Sequence, residues 1–94
     1  MARLTVAKRN AALNQLKGWA YEAHGKSIVK QFRFDTFRQA FGFMAEVALI
    51  AEKADHHPDW SNSYDRVTIS LSTHDAGGVS DKDVALAQAI DAIV

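Results

Sequence analysis

The stretch Trp19-Ala20-Tyr21-Glu22-Ala23-His24-Gly25-Lys26-Ser27-Ile28-Val29-Lys30-Gln31-Phe32-Arg33-Phe34 decides the fold class. Trp19, Tyr21 and Ala23 can share one face of a short strand, and His24-Gly25 supplies a turn. From Ser27 to Phe34, Phe32 and Phe34 alternate against Gln31 and Arg33. Two short strands across a glycine turn predict a hairpin, and so an antiparallel sheet.

Helical patterns flank this hairpin. Thr5 to Lys17 carries Val6, Leu13 and Leu16 at helical spacing, leaves Lys8, Arg9, Asn10 and Asn14 to water, and stops at Gly18. Thr36-Phe37-Arg38-Gln39 fits a capping box, in which the threonine caps the helix and the glutamine reaches back. Phe37, Ala40, Phe41, Met44, Val47, Ala48 and Ala51 follow as a broad apolar stripe, read as core. This helix should end near Ala54 or Asp55, because Pro58 disfavours helical geometry at His57.

Asp65 to Thr73 reads as a strand, with Val67, Ile69 and Leu71 alternating against Thr68, Ser70 and Ser72. Ser61 to Tyr64 fits either the start of that strand or a loop. Asp75-Ala76-Gly77-Gly78 is a loop, Ser80-Asp81-Lys82-Asp83 resembles a helix start, and Val84 to Val94 completes an apolar-faced helix. The order of elements predicts a single α+β domain over residues 1–94, with helices on one face of an antiparallel sheet.

A chain of 94 residues, 48% of them hydrophobic, buries only about two-thirds of its unfolded surface, so a partner chain would help complete a thin core. There is no cysteine, which excludes disulfides, zinc-thiolate sites and a thiol nucleophile. The first nine residues lack the apolar run of a signal peptide, and no stretch approaches the ~20 apolar residues of a membrane span. A soluble, cytoplasmic protein is expected. Eleven basic residues balance eleven acidic ones, which argues against direct nucleic-acid binding. Lys26, Lys30, Arg33 and Arg38 form a weak basic patch beside Asp35, read as a solvated strand face.

The chemistry concentrates in Glu52-Lys53-Ala54-Asp55-His56-His57-Pro58-Asp59-Trp60, at a helix end where the backbone leaves regular structure. His74 ends the later strand, on its non-core side or in the loop just after it. Histidine titrates near neutrality and suits proton transfer in both directions. Two histidines flanking a substrate can serve as acid and base, with Glu52 or Asp55 setting a tautomer. The same His-His-Pro segment also fits a simple helix C-terminal cap, and spacing does not separate the two. His24 lies in a turn without chemical neighbours. Three histidines and Glu52 could in principle hold zinc, but the i, i+4 spacing of H-E-x-x-H is absent, so metal ranks below acid–base chemistry.

Glu52-x-x-x-His56-His57-Pro58, then Trp60, Tyr64, Ser72-Thr73-His74, Ser80 and Asp83, resembles the signature of the pterin-4a-carbinolamine dehydratases. Phe41-Gly42-Phe43-Met44 and Val47-Ala48 are similar to that family's central helix. The resemblance runs from about Leu16 to the end, and the first fifteen residues carry little of it. It implies a four-stranded antiparallel sheet with three helices packed on one face, assembling as a homodimer or homotetramer. It implies dehydration of a 4a-hydroxytetrahydropterin without metal or organic cofactor, in the recycling of the tetrahydropterin used by aromatic amino acid hydroxylases. By position, His56 and His74 become the acid–base candidates, and His57 binds and orients the pterin. Asp55, Ser72, Thr73 and Asp75 would contact it, Glu52 would support His56, and Pro58 and Trp60 would shape the corner. Trp19 would either wall the pocket or pack in the core. An alternative function in the same fold is a dimerising adaptor or transcriptional coactivator.

Overall fold

Tyr21 stands opposite Ile28 and Ile28 opposite Leu71, so the predicted hairpin forms and continues into a larger sheet. The computed structural model describes residues 2–94. In chain order these form α1 (Val6–Gln15), β1 (Ala20–Glu22), β2 (Ser27–Arg33), α2 (Phe37–Ala54), β3 (Asp59–Ser63), β4 (Arg66–Leu71), a 3-10 turn (His74–Ala76) and α3 (Asp81–Asp91). The strands are ordered β1-β2-β4-β3 and every pairing is antiparallel, which is the expected α+β architecture. Among the described residues no helix is long and apolar enough to cross a membrane.

The period of two along the strands sorts the sheet into an apolar and a polar face. Ile28 and Phe32 of β2 lie opposite Leu71 and Val67 of β4, and Ile69 lies opposite Trp60 of β3. This face meets Ala40, Phe43, Val47 and Ala51 of α2 and Leu86, Ala87 and Ile90 of α3, all buried. Full burial of a side chain such as Val47 stabilises the fold by about 1.5–3 kcal/mol. Helix α1 has no fully buried residue. It docks through Leu13 and through the Arg9 guanidinium, which lies 3.6 Å above the Tyr21 ring. The other face carries Gln31, Arg33, Ser61, Thr68 and Ser70.

Lys30 departs from its sequence reading. It lies opposite Ile69 on the inward face, and its Nζ is 2.9 Å from an Asp91 carboxylate oxygen. Trp19 Nε1 donates to the same carboxylate at 3.1 and 3.2 Å. Trp19 is therefore a core residue, edge-on to Phe32 with centroids 6.1 Å apart. Arg33 pairs with Asp65 at 3.3 Å. The expected solvated basic face thus loses Lys30 to the inward side, while Lys26, Arg33 and Arg38 remain exposed.

Thr36 caps α2 as expected, its hydroxyl accepting the Gln39 amide at 3.1 Å. The return bond differs from a capping box. Gln39 Oε1 accepts the amide of Asp35, one residue before the cap. A larger correction concerns the apolar stripe. Phe37 and Phe41, read as core, are 47% and 59% exposed, and Ala48 is also exposed. The inward aromatic is Phe43, packed between Phe32 and Phe34 with centroids 4.8 and 5.0 Å away. Periodicity locates an apolar face, but α2 has two.

Ser61 to Tyr64, left open by sequence, divides between strand and turn. Ser63 pairs with Arg66, so Tyr64-Asp65 is a two-residue connection between β3 and β4, with Tyr64 left-handed at φ 52°. Asn62 Nδ2 clamps this turn by donating to the carbonyls of Tyr64 at 3.1 Å and Arg66 at 2.8 Å. The β4 strand stops at Leu71 rather than Thr73. Thr73 makes only an isolated bridge to Gly78 before the chain enters the 3-10 turn.

Candidate active site

The left-handed residue Asp55 (φ 52°) ends α2. The amide of His56 bonds back to the Ala51 carbonyl at 3.1 Å, the bond that closes a helix over a left-handed C-terminal residue. Pro58, half-buried, then prevents helical continuation, and β3 begins one residue later. The reversal carries His56 toward the first turn of α3.

There it meets Asp83, whose side chain is fully buried. His56 Nε2 lies 2.5 Å from Asp83 Oδ1. The second carboxylate oxygen accepts the Thr73 hydroxyl and the Ser80 amide, each at 2.8 Å. The Thr73 and Ser80 hydroxyls are 2.6 Å apart, and Ser80 Oγ accepts the Lys82 amide at 3.2 Å. Since Thr73 donates to Asp83, Ser80 must donate to Thr73, which fixes the direction of the chain. A carboxylate only accepts, so with Asp83 in that form the proton shared with His56 sits on Nε2. The Nδ1 of His56 is then left free to accept or, when the ring is protonated, to donate. A buried carboxylate is tolerated here because its oxygens are met by three donors.

This differs from the expected support of His56 by Glu52. Glu52 instead bonds His57, with Oε1 2.8 Å from Nε2, and both side chains are largely exposed. The structure therefore contains two histidine–carboxylate pairs one residue apart, one buried and one in solvent. Asp83 is the residue that sequence reasoning left out of the site. It reads there as a helix start and as part of the family resemblance. Only the fold brings residue 83 to residue 56, and a first-turn aspartate gives no local sign of doing more than capping.

His74 is exposed and opens the 3-10 turn, the loop position sequence allowed, directly after Thr73 of the buried network. Thr73 is itself buried, its hydroxyl turned into that network. Ser72 is half-buried and donates to the Lys26 carbonyl at 2.9 Å. Asp55 and Asp75 are exposed, and Trp60 packs partly against the core. His56 also lines a cavity of about 250 Å³ between α2 and α3, with Ile50, Ala54, Lys82 and Leu86 in its wall. Neither His57 nor His74 lines that cavity. Among the described residues no group of three or more His, Asp or Glu side chains is arranged to hold a metal ion.

Residues 2–93 match the model of the pterin 4 alpha carbinolamine dehydratase family. The chain belongs to this family. The match covers nearly all of the first fifteen residues too, although their sequence carries few of its marks. Relatives within the family agree over almost their whole length. A protein of Nitrobacter winogradskyi named "Putative pterin-4-alpha-carbinolamine dehydratase" is 53% identical over 91 residues, spanning 97% of this chain and 90% of its own. One of the same name from Novosphingobium aromaticivorans is 51% identical over 94 residues, or 100% and 98% of the two chains. A crystal structure described as a transcriptional coactivator/pterin dehydratase from Brucella melitensis superposes with a TM-score of 0.93 at 46% identity, covering 97% of each chain. A pterin dehydratase-like protein described as a RuBisCO assembly factor of the alpha-carboxysome shares the fold, with a TM-score of 0.63 at 24% identity over 71% of this chain and 77% of that one.

Proposed function

We propose that this protein removes water from a 4a-hydroxytetrahydropterin by histidine acid–base catalysis. The observation that carries the reading is the His56–Asp83 pair, held by a satisfied buried network in a chain of the dehydratase family. In the reaction a proton is delivered to the 4a-hydroxyl, the C4a–O bond breaks and water leaves. The N5 proton is removed and a C4a=N5 double bond forms, giving the quinonoid dihydropterin. His56 and His74 are the groups assigned to these two transfers, and positioned proton transfer of this kind is worth about 10²–10⁴ in rate. His57, oriented by Glu52, binds the pterin. Asp55, Ser72 and Asp75 contribute side-chain contacts, whereas Thr73, with hydroxyl, amide and carbonyl all bonded within the protein, acts on the site through Asp83. Pro58 and Trp60 shape the wall. The product feeds reduction and reuse of the tetrahydropterin of an aromatic amino acid hydroxylase in the cytoplasm.

The test is stopped-flow ultraviolet absorbance of 4a-hydroxytetrahydropterin decay with and without protein, since the reaction also runs unaided. Acceleration by the wild type that is lost in His56→Ala and His74→Ala, with folded spectra, is the expected result. Wild-type rates in both variants would sink the assignment.

A second reading concerns α2 and stands beside the first. Phe37, Phe41 and Leu49 are exposed on this helix, Leu49 at 73%, with the Phe37 and Phe41 rings 6.0 Å apart. A helix apolar on both faces is normally covered on both. The occupant we assign is a second copy of this chain, in a homodimer or homotetramer.

A further inference from the structure

A larger concavity, of about 480 Å³, lies among the N-terminal arm, α1, the β1–β2 turn and Gly77–Val79. It shares no lining residue with the cavity beside His56. Three cationic side chains line it, Arg3, Arg9 and Lys26, and no aspartate or glutamate does. None of the three forms an ion pair among the described residues. In a chain of zero formal net charge, this places unbalanced positive charge in one hollow.

Two of the cations are held in place. The arm is anchored by the Leu4 amide, which donates to the Val79 carbonyl at 2.8 Å. Arg3 lies across Gly78, where an added Cβ would come within 2.8 Å of its Cδ and displace it. Arg9 is stacked on Tyr21, and its Nε is buried without a hydrogen-bond partner. Arg9 also lines the hollow, and an anion there would be drawn to its guanidinium charge. The volume lies in the range of small-molecule sites.

We propose that this hollow is a second binding site, separate from the cavity beside His56, for a small molecule bearing a phosphate or carboxylate group. Arg3, Arg9 and Lys26 supply its positive charge, and Tyr21 holds Arg9 in position. The site does not depend on the dehydratase reading.

The test is ¹H–¹⁵N NMR titration of the full chain with pyrophosphate and, separately, with citrate at fixed ionic strength. Saturable shifts of the Val6, Ala23, Lys26, Gly77 and Gly78 amides with either probe are expected, and the tighter probe identifies phosphate or carboxylate as the preferred group. Arg3→Gln and Lys26→Gln, singly and together, should each weaken binding about tenfold, as expected for loss of a charge-assisted bond. The variants should retain the dispersed spectrum of the wild type. Absence of saturable shifts with both probes, or unchanged affinity in the folded double variant, would overturn the proposal.

Discussion

Asp83 makes two connections at once: its Oδ1 meets His56 Nε2 at 2.5 Å, while its Oδ2 accepts the Ser80 amide in the capping box of α3. The group that starts the last helix is therefore the group that orients the histidine following the central one. In the proposed reaction stability and chemistry share one carboxylate, and substitutions can separate them.

Asp83→Asn keeps the shape and replaces an all-acceptor group with one that also donates. An amide nitrogen facing His56 Nε2 would demand the opposite tautomer and move the ring proton to Nδ1. The dehydration rate should fall by about 10²–10⁴, the range for a misassigned catalytic tautomer. Stability should fall by about 1–3 kcal/mol, because a buried acceptor network is disturbed. Stopped-flow rates, urea unfolding and imidazole ¹⁵N shifts check the three effects, and an unchanged His56 tautomer would refute the positioning role.

Glu52→Gln is the solvent-exposed counterpart. Both members of the Glu52–His57 pair are largely open to water, so the pair should contribute less than about 1 kcal/mol to stability. Urea unfolding should place the variant within that limit of wild type. Substrate KM should rise more than kcat falls, because the substitution disturbs a binding histidine. A change in kcat alone would move His57 from binding to proton transfer.

The sheet was legible where side chains alternate strongly, and illegible where they do not. Phe32, Val67, Ile69 and Leu71 advertise β2 and β4. The β3 sequence Asp59-Trp60-Ser61-Asn62-Ser63 has one large apolar residue, because an edge strand has less to bury, and its Tyr64-Asp65 turn lacks the glycine that marks such hairpins. The two-sided apolar pattern of α2 was visible, but sequence cannot tell its core face from its outer one, and Phe37 and Phe41 lie on the outer one. The His-His-Pro corner was legible as a candidate site, by composition and by family resemblance. Its partner was not, since Asp83 lies 27 residues away and is joined to His56 only by packing of α3 against α2.

Asp55→Gly tests the corner itself. Asp55 holds a left-handed conformation that glycine adopts without steric penalty. The variant should be more stable by about 0.5–1 kcal/mol, the relief of strain exceeding the added freedom of the unfolded chain. Chemical denaturation reads this directly. If the Asp55 carboxylate also contacts the pterin, KM rises in the same variant, giving a protein that is firmer and poorer at binding. Lower stability would show that the carboxylate supports the fold in a way its exposure does not suggest.

Phe41→Glu and Leu49→Glu test what covers the outer face of α2. Both side chains are exposed in the single chain, at 59% and 73%, so in a monomer each substitution should change stability by no more than about 0.5 kcal/mol. In an oligomer buried through this face, a carboxylate would be desolvated against an apolar partner, which is strongly disfavoured. The mass measured by light scattering should then drop to that of one chain, 10.4 kDa. Thermal stability, independent of protein concentration in the variants, should depend on it in the wild type. A wild type that is monomeric throughout would remove self-association as the reason for the apolar face. Oligomeric variants with unchanged mass would instead place the interface elsewhere, with the polar β3 edge the next surface to substitute.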